Sequence, residues 1–234
     1  MNRRIWELDA FRGLCVLGMV AVHFIFDLTY LYRLVDWQLS ESFLFLQQWG
    51  GVLFLLISGI CVTLGSRSLK RGGIVLGAGL LVSAVTVILT RFFAFDESMV
   101  IRFGVLHCLG ICMLLWPVFR KLPWWGLVAA GLPIVLLGLW MEDLRIAIPW
   151  LYPLGLKAQG FQSADYFPLF PNLGFFLLGA AIGKTAYKKK VSLLPDLSGS
   201  LPIRFLILCG KQSLPIYLLH QPVLSGIFYV LSML

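Results

Sequence analysis

Three histidines and one aspartate fall inside the apolar runs of this sequence, where their chemistry is costly to keep. A polar or ionisable side chain deep in a membrane span costs about 2–3 kcal/mol on insertion scales, so each is a functional candidate by default. The first run reads LDAFRGLCVLGMVAVHFIFDL, from Leu8 to Leu28. His23 and Asp27 are four residues apart and share a helix face, where a carboxylate can orient an imidazole as general base. Arg12 precedes His23 by about three turns, which places it on the same face roughly 16 Å nearer the helix start. A buried structural hydrogen bond is the plain alternative for His23; Asp27 beside it favours chemistry.

The last run carries Ser213, Tyr217, His220 and Gln221 ahead of Pro222. Helical spacing puts Ser213, Tyr217 and His220 on one stripe, and Pro215 and Pro222 free backbone carbonyls close to it. The stripe reads equally well as a polar clamp between helices. A fourth run supplies Arg102 near its outer end and His107 about one and a half turns deeper. With every histidine inside a run, a shared polar pocket containing His23, Asp27 and His107 is expected. In DYFPLFPNLG, Asp165 to Gly174, two prolines three apart imply a broken helix start, with Asn172 placed to satisfy the exposed backbone. Gly174, Gly179 and Gly183 then allow close helix packing. Arg102, His107, Asn172, Tyr217, His220 and Gln221 form the pool from which substrate contacts or an oxyanion stabiliser would be drawn. Arg67, Lys70 and Arg71 can grip a phosphorylated ligand, although topology alone also explains them; Gly72, Gly73, Gly77 and Gly79 beyond them read as a tight helix contact. No Walker loop, GxSxG, HExxH or GxGxxG occurs, and no metal site is expected. The five cysteines (Cys15, Cys61, Cys108, Cys112 and Cys209) contain no CxxC and read as packing residues.

The elements that must position these residues follow from composition. Of 234 residues, 59% are hydrophobic and 13% charged, against about 25% charge in soluble domains. Lipid must solvate that apolar surface. The expected fold is an all-α polytopic transmembrane bundle formed by one domain, 1–234. Seven spans are predicted, near 11–33, 49–66, 72–94, 101–119, 122–141, 167–187 and 211–232, each close to the roughly 20 residues a crossing needs. Residues 36–48 read as interfacial, 142–165 as a longer loop, 188–202 as a flexible linker, and 203–210 as a partial apolar segment before the last span. With the N-terminus cytoplasmic, most of the 19 Lys and Arg fall on the inner side; only Arg33, Arg91, Arg102, Arg145 and Lys157 fall outside, as the positive-inside rule requires. The formal charge of +8 comes in such clusters and not in one continuous stripe, so nucleic acid is not an expected partner. No signal peptide is expected, and the first helix should remain in the mature protein.

Several strings occur together in order: LDAFRG at 8–13, VHF at 22–24, LISGI at 56–60, RFGVLHCLG at 102–110, DYFPLFPNLGFFLLGAAIG at 165–183 and GKQSLPIYLLHQPVL at 210–224. They resemble the bacterial DUF1624 proteins, which belong with the heparan-alpha-glucosaminide N-acetyltransferase catalytic-domain family, and more distantly the membrane acyltransferase-3 family. The resemblance implies a multi-pass protein of the bacterial inner membrane. It would pass an acyl group, usually acetyl, from cytoplasmic acetyl-CoA to an amino-sugar or glycan acceptor on the outer side. His23 matches the first-helix histidine that serves acyltransferase-3 proteins as base, with Asp27 orienting it. Arg67, Lys70 and Arg71 occupy the place of the basic cluster that holds the CoA phosphates there, with Arg12 at the same inner mouth. Leu31 to Trp37, where the eukaryotic enzyme keeps its active histidine, contains none. Membrane lipid and the acceptor are the expected partners, with a homodimer left open. Two other classes compete: a transporter or flippase-like carrier using the same polar residues, and a membrane scaffold without turnover.

Overall fold

The computed structural model describes residues 5–38, 40–93 and 96–231, without the side chain of residue 48. Among the described residues it is helical without strands. The helices are α1 (Trp6–Phe26), α2 (Glu41–Leu64), α3 (Ser68–Phe93), α4 (Val105–Phe119), α5 (Trp124–Met141), α6 (Leu169–Ala186), α7 (Leu201–Lys211) and α8 (Ser213–Leu231). Six of them (α1, α2, α3, α5, α6 and α8) are long and apolar enough to cross a membrane, and α4 is a shorter apolar helix. Each expected span is therefore a helix, and the partial segment before the last one is α7.

Three boundaries differ from expectation, each for a reason of polar bookkeeping. Helix α1 starts before residue 11 because the acidic residues there are accommodated. The Glu7 carboxylate accepts hydrogen bonds from Ser192 Oγ and Leu193 N–H, both at 2.8 Å, and Asp9 pairs with Arg12 at 3.4 Å. Helix α2 starts at Glu41, so the segment taken as interfacial supplies the first turns of that span. Ser40 caps it, its Oγ accepting from Phe43 N–H at 3.3 Å. Helix α4 starts at Val105, because the backbone before it is engaged elsewhere: Ala164 N–H donates to Val100 O and Phe167 N–H to Phe103 O.

The chain forms two compact units, whose boundary falls within α2. In the first, residues 1–54 and 189–234, α7 lies antiparallel to α1 at backbone contact. A Cβ at Gly210 would overlap the Asp9 carbonyl, and one at Gly13 the Leu206 carbonyl. The chain then turns at Gln212, and α8 runs parallel to α1, pairing His23 with His220, Asp27 with Gln221 and Tyr32 with Ser225.

In the second unit, residues 55–188, α4 is the most enclosed helix; every residue from Val105 to Gly110 is buried. Gly72 lies on the Gly110 carbonyl and Gly79 on His107, as the expected tight contact of α3 requires, while Gly73 and Gly77 face open space. The glycines of α6 also pack as expected, Gly174 on Gly131 of α5, Gly179 on Leu56 and Gly183 on Ile60. The proline-flanked start of α6 is broken at Phe170, which has extended backbone, and Asn172 Nδ2 donates to the Pro168 carbonyl at 2.8 Å.

Candidate functional site

The site is built where α1 changes winding. From Asp27 to Leu31 the helix widens into a π turn, and the Thr29 hydroxyl donates to the Ile25 carbonyl at 2.8 Å. Single π turns concentrate at functional positions, and nothing in the residue pattern announced this one. The Asp27 side chain is 1% exposed. The sequence expectation that Asp27 orients His23 is corrected here: the carboxylate accepts from Gln221 Nε2 of α8 at 2.9 Å, and His23 makes no hydrogen bond with it among the described residues. The amide of α8 stands across the helix pair with an N–H to give, and the carboxylate takes it. His23 instead meets His220 edge to face, with ring centroids 4.9 Å apart.

His220 is held by its own helix. Its Nδ1 lies 2.6 Å from the Tyr217 carbonyl oxygen. A carbonyl only accepts, so Nδ1 carries the proton, and in the neutral ring Nε2 presents its lone pair. That Nε2 is buried without a hydrogen-bond partner, as is Oε1 of Gln221, whose N–H side is committed to Asp27. Tyr217 also contacts the ring, centroids 5.5 Å apart. Thus His23, Asp27, Tyr217, His220 and Gln221, read from opposite ends of the sequence, form one cluster in the first unit. Arg12, further toward the start of α1, is engaged with Asp9.

His107 belongs to the second unit, and its environment is of a different kind. The Gly104 N–H donates to Nδ1 at 3.2 Å, which leaves the proton on Nε2, 3.2 Å from Ser83 Oγ. The Ser83 hydroxyl in turn donates to the Ile101 carbonyl. Both ring nitrogens are satisfied, and Phe103 stacks on the ring. Together with Asp165, whose Oδ2 accepts from Val105 N–H at 3.1 Å, His107 caps the first turn of α4. Within the second unit, the role the structure gives His107 is that of a cap. Ser83 and Asp165 went unnoticed in the sequence, because one hydroxyl in an apolar helix and one carboxylate in a loop are weak signals. Asn172 is likewise spent on its Pro168 carbonyl, a backbone role.

Arg102 is exposed and ties the α3–α4 connection to the α5–α6 connection, its Nε donating to the Gln162 carbonyl and its backbone N–H to Ser163 Oγ, both at 3.1 Å. Beside it an open cavity of about 400 Å³ is lined by Ser98, Lys157, Phe161, Gln162, Ser163 and Tyr166. Burial pushes the Tyr166 phenol up, and its hydroxyl donates to the Tyr152 carbonyl at 2.7 Å. Arg67, Lys70 and Arg71 are exposed at the start of α3, where the first backbone N–H groups of the helix also point outward. Among the described residues no group of three or more His, Cys, Asp or Glu could hold a metal ion.

Residues 4–222 match the family described as heparan-alpha-glucosaminide N-acetyltransferase, catalytic. No curated protein and no solved structure matches the chain.

Proposed function

The chain belongs to the heparan-alpha-glucosaminide N-acetyltransferase catalytic family, and from that premise we propose that it passes an acetyl group from cytoplasmic acetyl-CoA to an amino-sugar or glycan acceptor on the outer side of a bacterial inner membrane. Family and helices together make it a multi-pass membrane acetyltransferase; donor, acceptor and sidedness are the parts proposed. The observation that carries the reading is the convergence of two imidazoles, a carboxylate and an amide on α1 and α8, within segments long and apolar enough to span. Acyl transfer needs a base where the acceptor's N–H or O–H meets the thioester, and an imidazole is suited to take that proton. The resemblance gives this part to His23.

The donor end of the reading rests on Arg67, Lys70 and Arg71. Three cations at a helix start stand against the positive end of the helix dipole, an unfavourable arrangement unless an anion joins them. The phosphates of CoA supply one, and the exposed first-turn N–H groups add donors to it.

The test is acetyl-CoA turnover by the purified protein with an amino-sugar acceptor. His23→Ala should lower kcat by about 10²–10⁴, the usual worth of general acid–base catalysis. Wild-type turnover by that variant removes His23 from the mechanism. A carrier of an unrelated solute would neither bind nor turn over acetyl-CoA, which separates that class from this one.

A further inference from the structure

We infer that His220 is the second catalytic residue of this site, its Nε2 receiving the acceptor's proton, with Gln221 Oε1 as the companion that aligns the same N–H- or O–H-bearing group. The assignment rests on the proposed acetyl transfer; it moves the proton-accepting step from His23, to which the resemblance gives it, to His220, and leaves His23 as the ring packed edge-on against that base.

In a neutral imidazole one nitrogen donates and the other accepts. For His220 the choice is made by the 2.6 Å contact to the Tyr217 carbonyl, which fixes the proton on Nδ1 and turns the basic nitrogen outward from its own helix. Gln221 is fixed in the same way, since its Nε2 is held by Asp27 and only Oε1 remains. The two polar atoms of the cluster left buried and unpartnered are thus both acceptors. Buried polar groups are ordinarily paired, and leaving one unpaired costs about 1–3 kcal/mol. Two such atoms on side chains that both meet α1 and its π turn fit a ligand that arrives with hydrogens to give. A thioester carbonyl or an oxyanion has none, whereas an amine or hydroxyl about to attack has them. The expectation that His220 or Gln221 stabilises the oxyanion is therefore reversed: in these orientations neither has a free N–H to offer it.

The comparison with His107 shows that such an atom is not a general feature of histidines in this chain. His107 has both nitrogens satisfied and is 4% exposed; it finishes a helix end. His220 has one nitrogen anchored and one spare, the arrangement a base requires. His23, edge-on to the same ring at 4.9 Å, has no hydrogen bond to set its tautomer among the described residues. The groups around the His220 ring that titrate are His23 and Asp27 of α1 and its π turn, and Tyr217 of its own helix. The cations of α7, Arg204 and Lys211, are exposed.

The acceptor nitrogen or oxygen attacks the thioester carbon, and a C–N or C–O bond forms while the carbonyl electron pair moves to oxygen. The attacking atom loses its proton to His220 Nε2. The tetrahedral intermediate then collapses, the C–S bond breaks, and the CoA thiolate leaves with the sulfur electron pair and recovers the proton from the imidazolium. Acyl-CoA and acceptor become acylated acceptor and free CoA thiol, with His220 returned to its starting state.

The test uses the full chain purified in detergent, with acetyl-CoA and glucosamine as the probes. His220→Asn keeps an amide N–H for the Tyr217 carbonyl and removes the second ring nitrogen; His220→Gln is the parallel variant should the first fail to fold. The expected result is a kcat at least 100-fold lower, a KM for acetyl-CoA within about twofold of wild type, and loss of the rising limb of the pH–rate profile. A merely structural His220 would leave that profile in place. Nitrogen-15 spectra of labelled histidine, with His220 identified by its disappearance in the variant, should show the proton on Nδ1. Wild-type kcat in a folded His220 variant while His23→Ala is inactive, or a proton found on Nε2, overturns the assignment and leaves acetyl transfer intact. Absence of turnover by the wild-type protein overturns the transfer reading and this assignment with it.

Discussion

A neutral imidazole must put its single proton on one of two nitrogens, and the neighbours that decide where it goes also decide what the ring can do. In His107 the decision is made by a backbone N–H on one side and a serine hydroxyl on the other, so the ring is consumed by structure. Ser83→Ala would leave the Nε2–H of His107 and the Ile101 carbonyl without their partner in a half-buried place. The expected cost is about 1–3 kcal/mol, seen as a melting temperature several degrees lower in detergent; an unchanged melting curve would show that water replaces the hydroxyl. At this scale the residue types were legible in the sequence and their partners were not. Spacing of four on one helix pointed His23 at Asp27, whereas the donor that Asp27 takes comes from Gln221, 194 positions away. Local periodicity holds no record of such a pairing.

At the scale of elements, apolar runs located each of the six helices long and apolar enough to cross a membrane, and the shorter α4, because a bilayer sets length and composition together. The ends were less legible. The charge at Glu7 and Asp9 ends the apolar run near residue 11, whereas the bonds of Glu7 to Ser192 and Leu193 let the helix begin before it, and the polar residues between Asp36 and Gln48 mask the early start of α2. Helix contacts at this scale are set by what a Cβ would meet. A methyl group at Gly210 would run into the Asp9 carbonyl, whereas one at Gly18 would meet nothing within 4 Å. Gly210→Ala should therefore force α7 off α1 and lower stability by about 1–3 kcal/mol. Gly18→Ala should be neutral or stabilise by up to about 1 kcal/mol through helix propensity. Paired melting curves decide it: equal behaviour of the two variants would refute the contact.

Over the whole molecule, direction carries the information. Parallel α1 and α8, if both span, require an odd number of crossings from one through the other; six helices are long and apolar enough among the described residues, so the expected seven would need α4 added and α7, at about 16 Å, left out. Within the second unit, Lys184 at the end of α6 donates to the carbonyls of Arg120 and Leu122, so the α4–α5 turn and the end of α6 share a side. Arg102 joins the α3–α4 and α5–α6 connections at the opposite side. The cations Arg67, Lys70, Arg71, Arg120, Lys121 and Lys184 thereby gather at one end, as the positive-inside rule asks of the cytoplasmic face. Single cysteines placed at Lys157 and Lys121 test the orientation. Lys157→Cys should react with an impermeant maleimide on intact cells, and Lys121→Cys only after permeabilisation; the reverse pattern would invert the topology.

Helix α4 has 15 residues, so it rises about 22 Å where the hydrocarbon layer is about 30 Å thick. Its C-terminal end is tied to Lys184, whose ammonium belongs at the interface. The shortfall therefore falls at the end capped by His107 and Asp165, beneath the loop that carries the cavity of Lys157 and Tyr166. On the expectation that α4 crosses, the polar groups at that end would stand deeper than lipid headgroups, and the insulating layer along the helix would be about a quarter thinner. A transmembrane voltage would then drop across that shorter distance, making the electric field along α4 correspondingly steeper than in the surrounding bilayer.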